Sequence, residues 1–206
     1  MPYGYLGTDK DQTVSNAGVL SISELADLEK RGKLGGSLEK IETITSSSTS
    51  TMDFTDLKDY KVHVIQFYNF RGTGTATSAI LGRVSTDGGS SFLSTSIYKR
   101  AFERQRPDGS TTILDGTQTS LNSFFAVDTD YASSGGWAIF FNLLDSTKDS
   151  LVRFQASNGV TDWQYVGSFG IDDANTHNAI RITTNNEAFA GSATLYGWKQ
   201  IWVLLD

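Results

Sequence analysis

The run Tyr60-Lys-Val-His-Val-Ile-Gln-Phe-Tyr-Asn-Phe70 decides how this chain is read. One alternating set, Tyr60, Val62, Val64, Tyr68 and Phe70, is β-branched or aromatic and is broken only by Gln66. The offset set, Lys61, His63, Ile65, Phe67 and Asn69, is apolar at its middle. Such alternation predicts a strand. Apolar residues on both faces at its centre predict an interior place in a sheet, each face at least partly covered. A second run, Ile80-Leu-Gly-Arg-Val-Ser85, leads into Thr86-Asp87-Gly88-Gly89 and then Ser90-Ser-Phe-Leu93. Asp-Gly and Gly-Gly steps reach positive φ without a Cβ penalty, so this segment predicts a tight hairpin whose second arm continues through Ser94–Tyr98.

The same rhythm extends outward. Trp137–Leu144 is apolar on both faces, and Leu151–Ser157 alternates with Val152, Phe154 and Ala156 inward and Arg153 and Gln155 outward. Asn158-Gly159 is a turn signal. Trp163, Tyr165 and Phe169 share one face of the strand after it, Ile180 and Ile182 point inward, and Ser192–Leu205 carries Tyr196, Trp198 and Trp202 opposite its aliphatic face. Upstream, Leu38, Ile41 and Ile44 are spaced by three, which predicts a bulged or kinked edge strand. Ser46–Ser50 reads as a polar loop, followed by a short strand with Met52 and Phe54 inward. Lys99–Asn122 reads as an excursion holding one short strand, Thr111–Leu114, and the turn Arg106-Pro-Asp-Gly109. About eight to ten strands divided by Gly, Asn and Asp turns predict an all-β fold, a two-sheet antiparallel sandwich of jelly-roll type over residues 37–206.

Residues 1–36 read differently. The first 20 show no periodicity, and Tyr3, Tyr5 and Leu6 sit among Pro2, Gly4 and Gly7, as suits an extended arm. Ser21-Ile-Ser-Glu24 is a capping box that opens one short helix, with Ile22 and Leu25 on its apolar face. Gly32 or Gly35-Gly36 ends it. A helix of about ten residues is marginal alone and must dock on something, so Tyr3, Tyr5, Leu6, Ile22 and Leu25 are candidate partner anchors.

Composition bounds the function. A chain of 206 residues can bury a substantial core. It has no cysteine, which removes disulfides, thiolate zinc sites and cysteine nucleophiles together. The net charge of −6 argues against a nucleic-acid partner, which needs a basic stripe. No apolar run approaches the roughly 20 residues of a membrane helix, and the opening Met1-Pro-Tyr-Gly-Tyr5 lacks the character of a secretory signal.

Reactive motifs are sparse. His63 lies inside the central strand and reads as a core or interface residue, while His177 lies in the polar segment Asp172-Asp-Ala-Asn-Thr-His177. There is no HExxH pair and no Gly-x-Ser-x-Gly elbow. Gly72-Thr-Gly-Thr-Ala-Thr77 leads into a strand without a Lys-Ser/Thr ending, so it reads as a flexible loop rather than a phosphate cradle. Asp128-Thr-Asp130 and Asp172-Asp173 read as solvated turns, without the spacing of a calcium loop. Trp137, Trp163 and Tyr165 are a candidate ligand platform, the alternative being that these rings fill the core or a subunit interface. No catalytic residue, cofactor or metal is expected.

The segments Met1-Pro-Tyr-Gly-Tyr-Leu-Gly7, Ser15-Asn-Ala-Gly-Val19, Ser21–Lys30 and Gly35-Gly-Ser-Leu-Glu39 resemble the start of virion structural proteins of tailed phages, especially marine ones. Thr51-Met-Asp-Phe54 resembles that family's first core strand, and Ser85-Thr-Asp-Gly-Gly-Ser90 and Ala193-Thr-Leu-Tyr-Gly197 are similar to motifs of phage capsid-surface and fibre domains. The resemblance is weakest over Lys99–Ala132. It implies a β-sandwich, no enzyme activity, and assembly on the particle with other virion proteins. The expectation is a subunit of the virion surface, a head decoration or a tail or fibre component, that forms a homotrimer and is anchored by its arm. The alternative is a carbohydrate-binding receptor-recognition module for a host surface glycan, and a third reading is a glycan hydrolase. Trp137 or Trp163 exposed in a groove favours the module, and two carboxylates facing across such a groove favour the hydrolase.

Overall fold

Alternation becomes strand almost throughout: the described residues, 38–129, 134–159 and 162–198 of the computed structural model, hold twelve strands and no helix. They belong to one unit, Leu38–Trp198. The arm and helix expected over 1–36, with Tyr3, Tyr5, Leu6, Ile22 and Leu25, lie outside the described residues, as does the chain after Trp198.

In chain order the strands are β1 (Leu38–Thr49), β2 (Thr51–Phe54), β3 (Val62–Gly72), β4 (Ser78–Ser85), β5 (Tyr98–Gln105) and β6 (Thr111–Gln118). They continue with β7 (Leu121–Val127), β8 (Ser134–Phe141), β9 (Ser150–Ser157), β10 (Gln164–Ile171), β11 (Ala179–Thr184) and β12 (Phe189–Trp198). All pairings are antiparallel. They form an eight-stranded sheet, β1-β12-β3-β8-β9-β10-β5-β6, and a four-stranded sheet, β2-β11-β4-β7. The inner faces meet in one aromatic core. Phe154 stacks on Phe169 with ring centroids 5.2 Å apart, Phe124 of the smaller sheet meets Phe154 edge-on at 5.4 Å, and Phe67 meets Phe125 at 5.3 Å. Val152, Phe154, Ile180 and Ile182 are buried and Arg153 is exposed, as their alternation requires.

Several expectations need correction. β3 is interior, and both its faces are partly covered as expected: His63, Ile65 and Phe67 are buried on the inner side, and Val62 is buried and Val64 half-buried on the outer side. On its outer side Gln66 and Tyr68 are exposed. A register shift against β8 between Phe67 and Phe70, with Asn69 at φ 52°, inserts one residue and returns Phe70 to the core. The bulge predicted near Ile41 is present, since β1 is an edge strand whose register against β12 shifts between Lys40 and Glu42. The polar loop over Ser46–Ser50 is not: β1 runs through Thr49, held by β12 and by the Thr45–Ser192 hydroxyl pair at 2.7 Å.

No hairpin follows β4. Gly88 and Gly89 do take positive φ, but β4 pairs with β11 and β7, and residues 86–97 form a loop leading to the other sheet. The Asp87 carboxylate organises that loop. It accepts hydrogen bonds from Ser85 Oγ, Ser91 N and Ser91 Oγ, which hold its pKa down at about 2. The excursion after Lys99 is two full strands, β5 and β6, joined at the expected turn, where Gly109 N donates to Arg106 O. The loop after Gly72 is pinned, with Ala76 N and Thr75 Oγ1 donating to Glu187 at 2.9 and 3.3 Å.

Candidate binding surface

Pairing aligns alternate residues of neighbouring strands into rows across the outer face of the eight-stranded sheet. One row runs Thr194–Gln66–Trp137–Gln155–Val166, through β12, β3, β8, β9 and β10. The next runs Lys40–Tyr196–Val64–Ile139–Arg153, and a third Leu38–Trp198–Val62–Phe141–Leu151. Tyr68 extends the face beyond Gln66. Trp137, Trp198 and Tyr68 are exposed by 38%, 40% and 63%, and Leu38, Leu151 and Val166 are exposed as well.

Within this face lies an open groove of about 380 Å³ lined by Leu38, Val64, Gln66, Gly136, Trp137 and Tyr196. Its floor is neutral, with no carboxylate among the lining residues. Gly136 lets the strands close up beneath it, because a Cβ there would collide with the Gln155 carbonyl and Ala156. The polar groups are the Gln66 amide and the Tyr196 hydroxyl, whose oxygens lie 3.5 Å apart. A partly exposed indole beside an amide and a phenol suits a flat apolar ligand face that carries hydroxyls.

The three residues of the candidate platform do not come together. Trp137 is on the outer face of β8, whereas Tyr165 points into the core and is 1% exposed. Trp163 is half-buried beside Tyr165, ring centroids 6.4 Å apart, and its ring is overlain by Arg104 and Arg106 at 4.2 and 4.8 Å. Trp137 lines a groove. Sequence reading missed its partners Gln66 and Tyr196; only strand register, which alternation does not specify, brings them beside it.

Both histidines are buried. His63 is fully buried, its Nε2–H donating to the Leu57 carbonyl at 2.6 Å, and desolvation lowers its pKa. His177 is not in an exposed turn. It is fully buried, with Nδ1 2.9 Å from Ser150 Oγ and Nε2 3.6 Å from the Asp173 carboxylate. A serine, a histidine and an aspartate are thus in sequence, but Ser150 is itself 0% exposed, so no substrate carbonyl reaches its oxygen. The trio instead joins the start of β9 to the loop before β11, where His177 N donates to the Leu143 carbonyl. Asp128 accepts from Thr77 and Asp172 pairs with Lys99 at 2.6 Å, while Asp130 of the expected acidic turn lies outside the described residues. Among the described residues no three His, Cys, Asp or Glu side chains are grouped as a metal would need.

The chain matches no protein family model and no curated protein.

Proposed function

We propose that this chain is a non-enzymatic structural subunit of a tailed-phage particle, a jelly-roll protein of the virion surface that assembles with sister copies and other virion proteins. The observation that carries the reading is the strand order. β1-β12-β3-β8 lies in one sheet and β2-β11-β4-β7 in the other. Two interlocked Greek keys of a jelly roll produce this order, an architecture common to capsid and lectin domains. On that reading β5–β6 and β9–β10 are inserted hairpins that widen the first sheet. The outer face of the widened sheet, with Trp137, Tyr68, Trp198 and Leu151, is the surface that sister subunits cover as a homotrimer. The resemblance of the opening residues to virion structural proteins supports the same assignment. The test is light scattering on the full chain at rising concentration. A trimer that dissociates in a Tyr68→Lys/Leu151→Lys variant is the expected result, and a wild-type monomer throughout overturns it.

A second reading is favoured by one observation, the neutral Trp137 groove with Gln66 and Tyr196 beside it. In it the same fold is a carbohydrate-binding receptor module. A sugar's C–H face stacks on Trp137, and its hydroxyls bond the amide and the phenol. Glycan-array binding by the full chain, lost in Trp137→Ala, distinguishes this reading from assembly alone.

A further inference from the structure

At the tips of the β5–β6 and β9–β10 hairpins two cations converge on one ring. The Arg104 guanidinium carbon lies 4.2 Å from the Trp163 centroid and that of Arg106 4.8 Å. All three side chains are presented from constrained backbone. Arg104 is paired with Tyr165 on one side and Thr112 on the other. Arg106 closes its turn, its N–H donating to Ser110 O and its carbonyl accepting from Gly109 N. Trp163 is clamped by Asn158, which accepts the Trp163 N–H on its side-chain oxygen at 2.9 Å and donates its own N–H to the Trp163 carbonyl.

Each arginine is half-buried, and each Nε is shielded from water without a hydrogen-bond partner. Among the described residues neither guanidinium forms an ion pair with a carboxylate. Burial raises the Tyr165 pKa, and Arg104, through its charge and a hydrogen bond to the hydroxyl, opposes that rise. Of the nearby acids, Asp108 accepts from Ser110 N at 2.8 Å and also interacts electrostatically with Arg106 without a direct ion pair, and Glu103 accepts from Gln105. Two guanidinium groups therefore share one indole, on a chain whose net charge is −6.

We propose that Arg104, Arg106 and Trp163 form an oxyanion-binding site for a small organic molecule bearing a carboxylate or a phosphate. An oxyanion within reach of the guanidinium groups accepts charge-assisted, fork-like hydrogen bonds from nitrogens already oriented by the ring. Stacking on Trp163 removes the rotamer freedom that two exposed arginines would otherwise lose on binding. The site lies away from the Trp137 groove in character as well as place, since one is cationic and the other neutral.

The test is calorimetric titration of the full chain with glucuronate, glucose 6-phosphate and glucose, with Trp163 fluorescence followed in parallel. Saturable binding of at least one anion is expected, with no heat from glucose. Affinity should fall tenfold or more in Arg106→Gln, fall less in Arg106→Lys, and weaken as salt is raised. Glucuronate alone identifies a carboxylate site, glucose 6-phosphate alone a phosphate site, and both a general oxyanion site. A thermal scan verifies that Arg106→Gln is folded. No saturable binding up to about 10 mM, a range that still detects weak complexes, equal binding of glucose, or unchanged affinity in folded Arg106→Gln overturns the assignment.

Discussion

His177 Nδ1 lies 2.9 Å from Ser150 Oγ, and both residues are fully buried. Burial lowers the His177 pKa from 6.5 against the opposing pull of Asp173, and it lowers the His63 pKa as well. The unfolded chain therefore binds more protons than the folded one just below pH 6.5. Stability should be full above that value and decline as pH falls from 6.5 toward the depressed folded pKa values. Urea midpoints measured at pH 7.5 and 5.5 check this. The decline should shrink in His177→Gln, and a midpoint that rises on acidification contradicts it.

The Phe154 ring touches Phe102, Phe124 and Phe169 and joins the two sheets. Phe154→Ala should destabilise the domain by about 3–5 kcal/mol, the usual loss for an aromatic truncated in a packed core. Equilibrium denaturation measures it. A loss under 1 kcal/mol would mean that the site collapses around the gap.

Arg181 and Asp53 face each other across β11 and β2 and share two hydrogen bonds of 2.7 Å, while the Arg181 guanidinium covers the Phe92 ring at 4.1 Å. Both side chains keep about 30% of their exposure, so solvent screens the pair. A double-mutant cycle of Arg181→Ala and Asp53→Ala should give a coupling of about 0.5–1 kcal/mol, weakened by salt. A salt-independent coupling would show that the pair is effectively buried.

Trp137 is half in solvent, so Trp137→Ala leaves no sealed cavity and should shift unfolding stability by less than about 1 kcal/mol. The same variant should change assembly or glycan binding if the outer face is functional. Gly136→Val, one residue earlier, should do the opposite and unfold the domain, because its side chain meets the backbone of β9. Circular dichroism of both variants separates the two roles.

How much was legible follows from the range of each signal. Alternation is local, so Val152, Phe154, Ile180 and Ile182 were placed inward from sequence alone, and they are buried. The spacing of Leu38, Ile41 and Ile44 disclosed the bulge of β1 for the same reason. The Asp87-Gly88-Gly89 signal was read correctly as positive φ and wrongly as a hairpin. Turn residues specify backbone angles but not how far a ladder extends: the returning segment meets β4 through Leu93 N, which donates to the Val84 carbonyl, while β11 and β7 pair along β4.

By itself the sequence determined a β domain within a cysteine-free, acidic chain, with its alternation in place, since composition and period 2 are properties of neighbouring residues. Only the tertiary structure decided which face of β3 was left open, which ring faced a groove, and which cations met. Trp137 meets Gln66 and Tyr196 through the register of β8, β3 and β12. His177 reaches Ser150 from 27 residues away, and Arg104 and Arg106 meet Trp163 through the pairing of β5 with β10. These contacts join residues distant in the chain. Strand pairing chooses them by the total burial and hydrogen bonding of the whole sheet, a sum that no single segment contains.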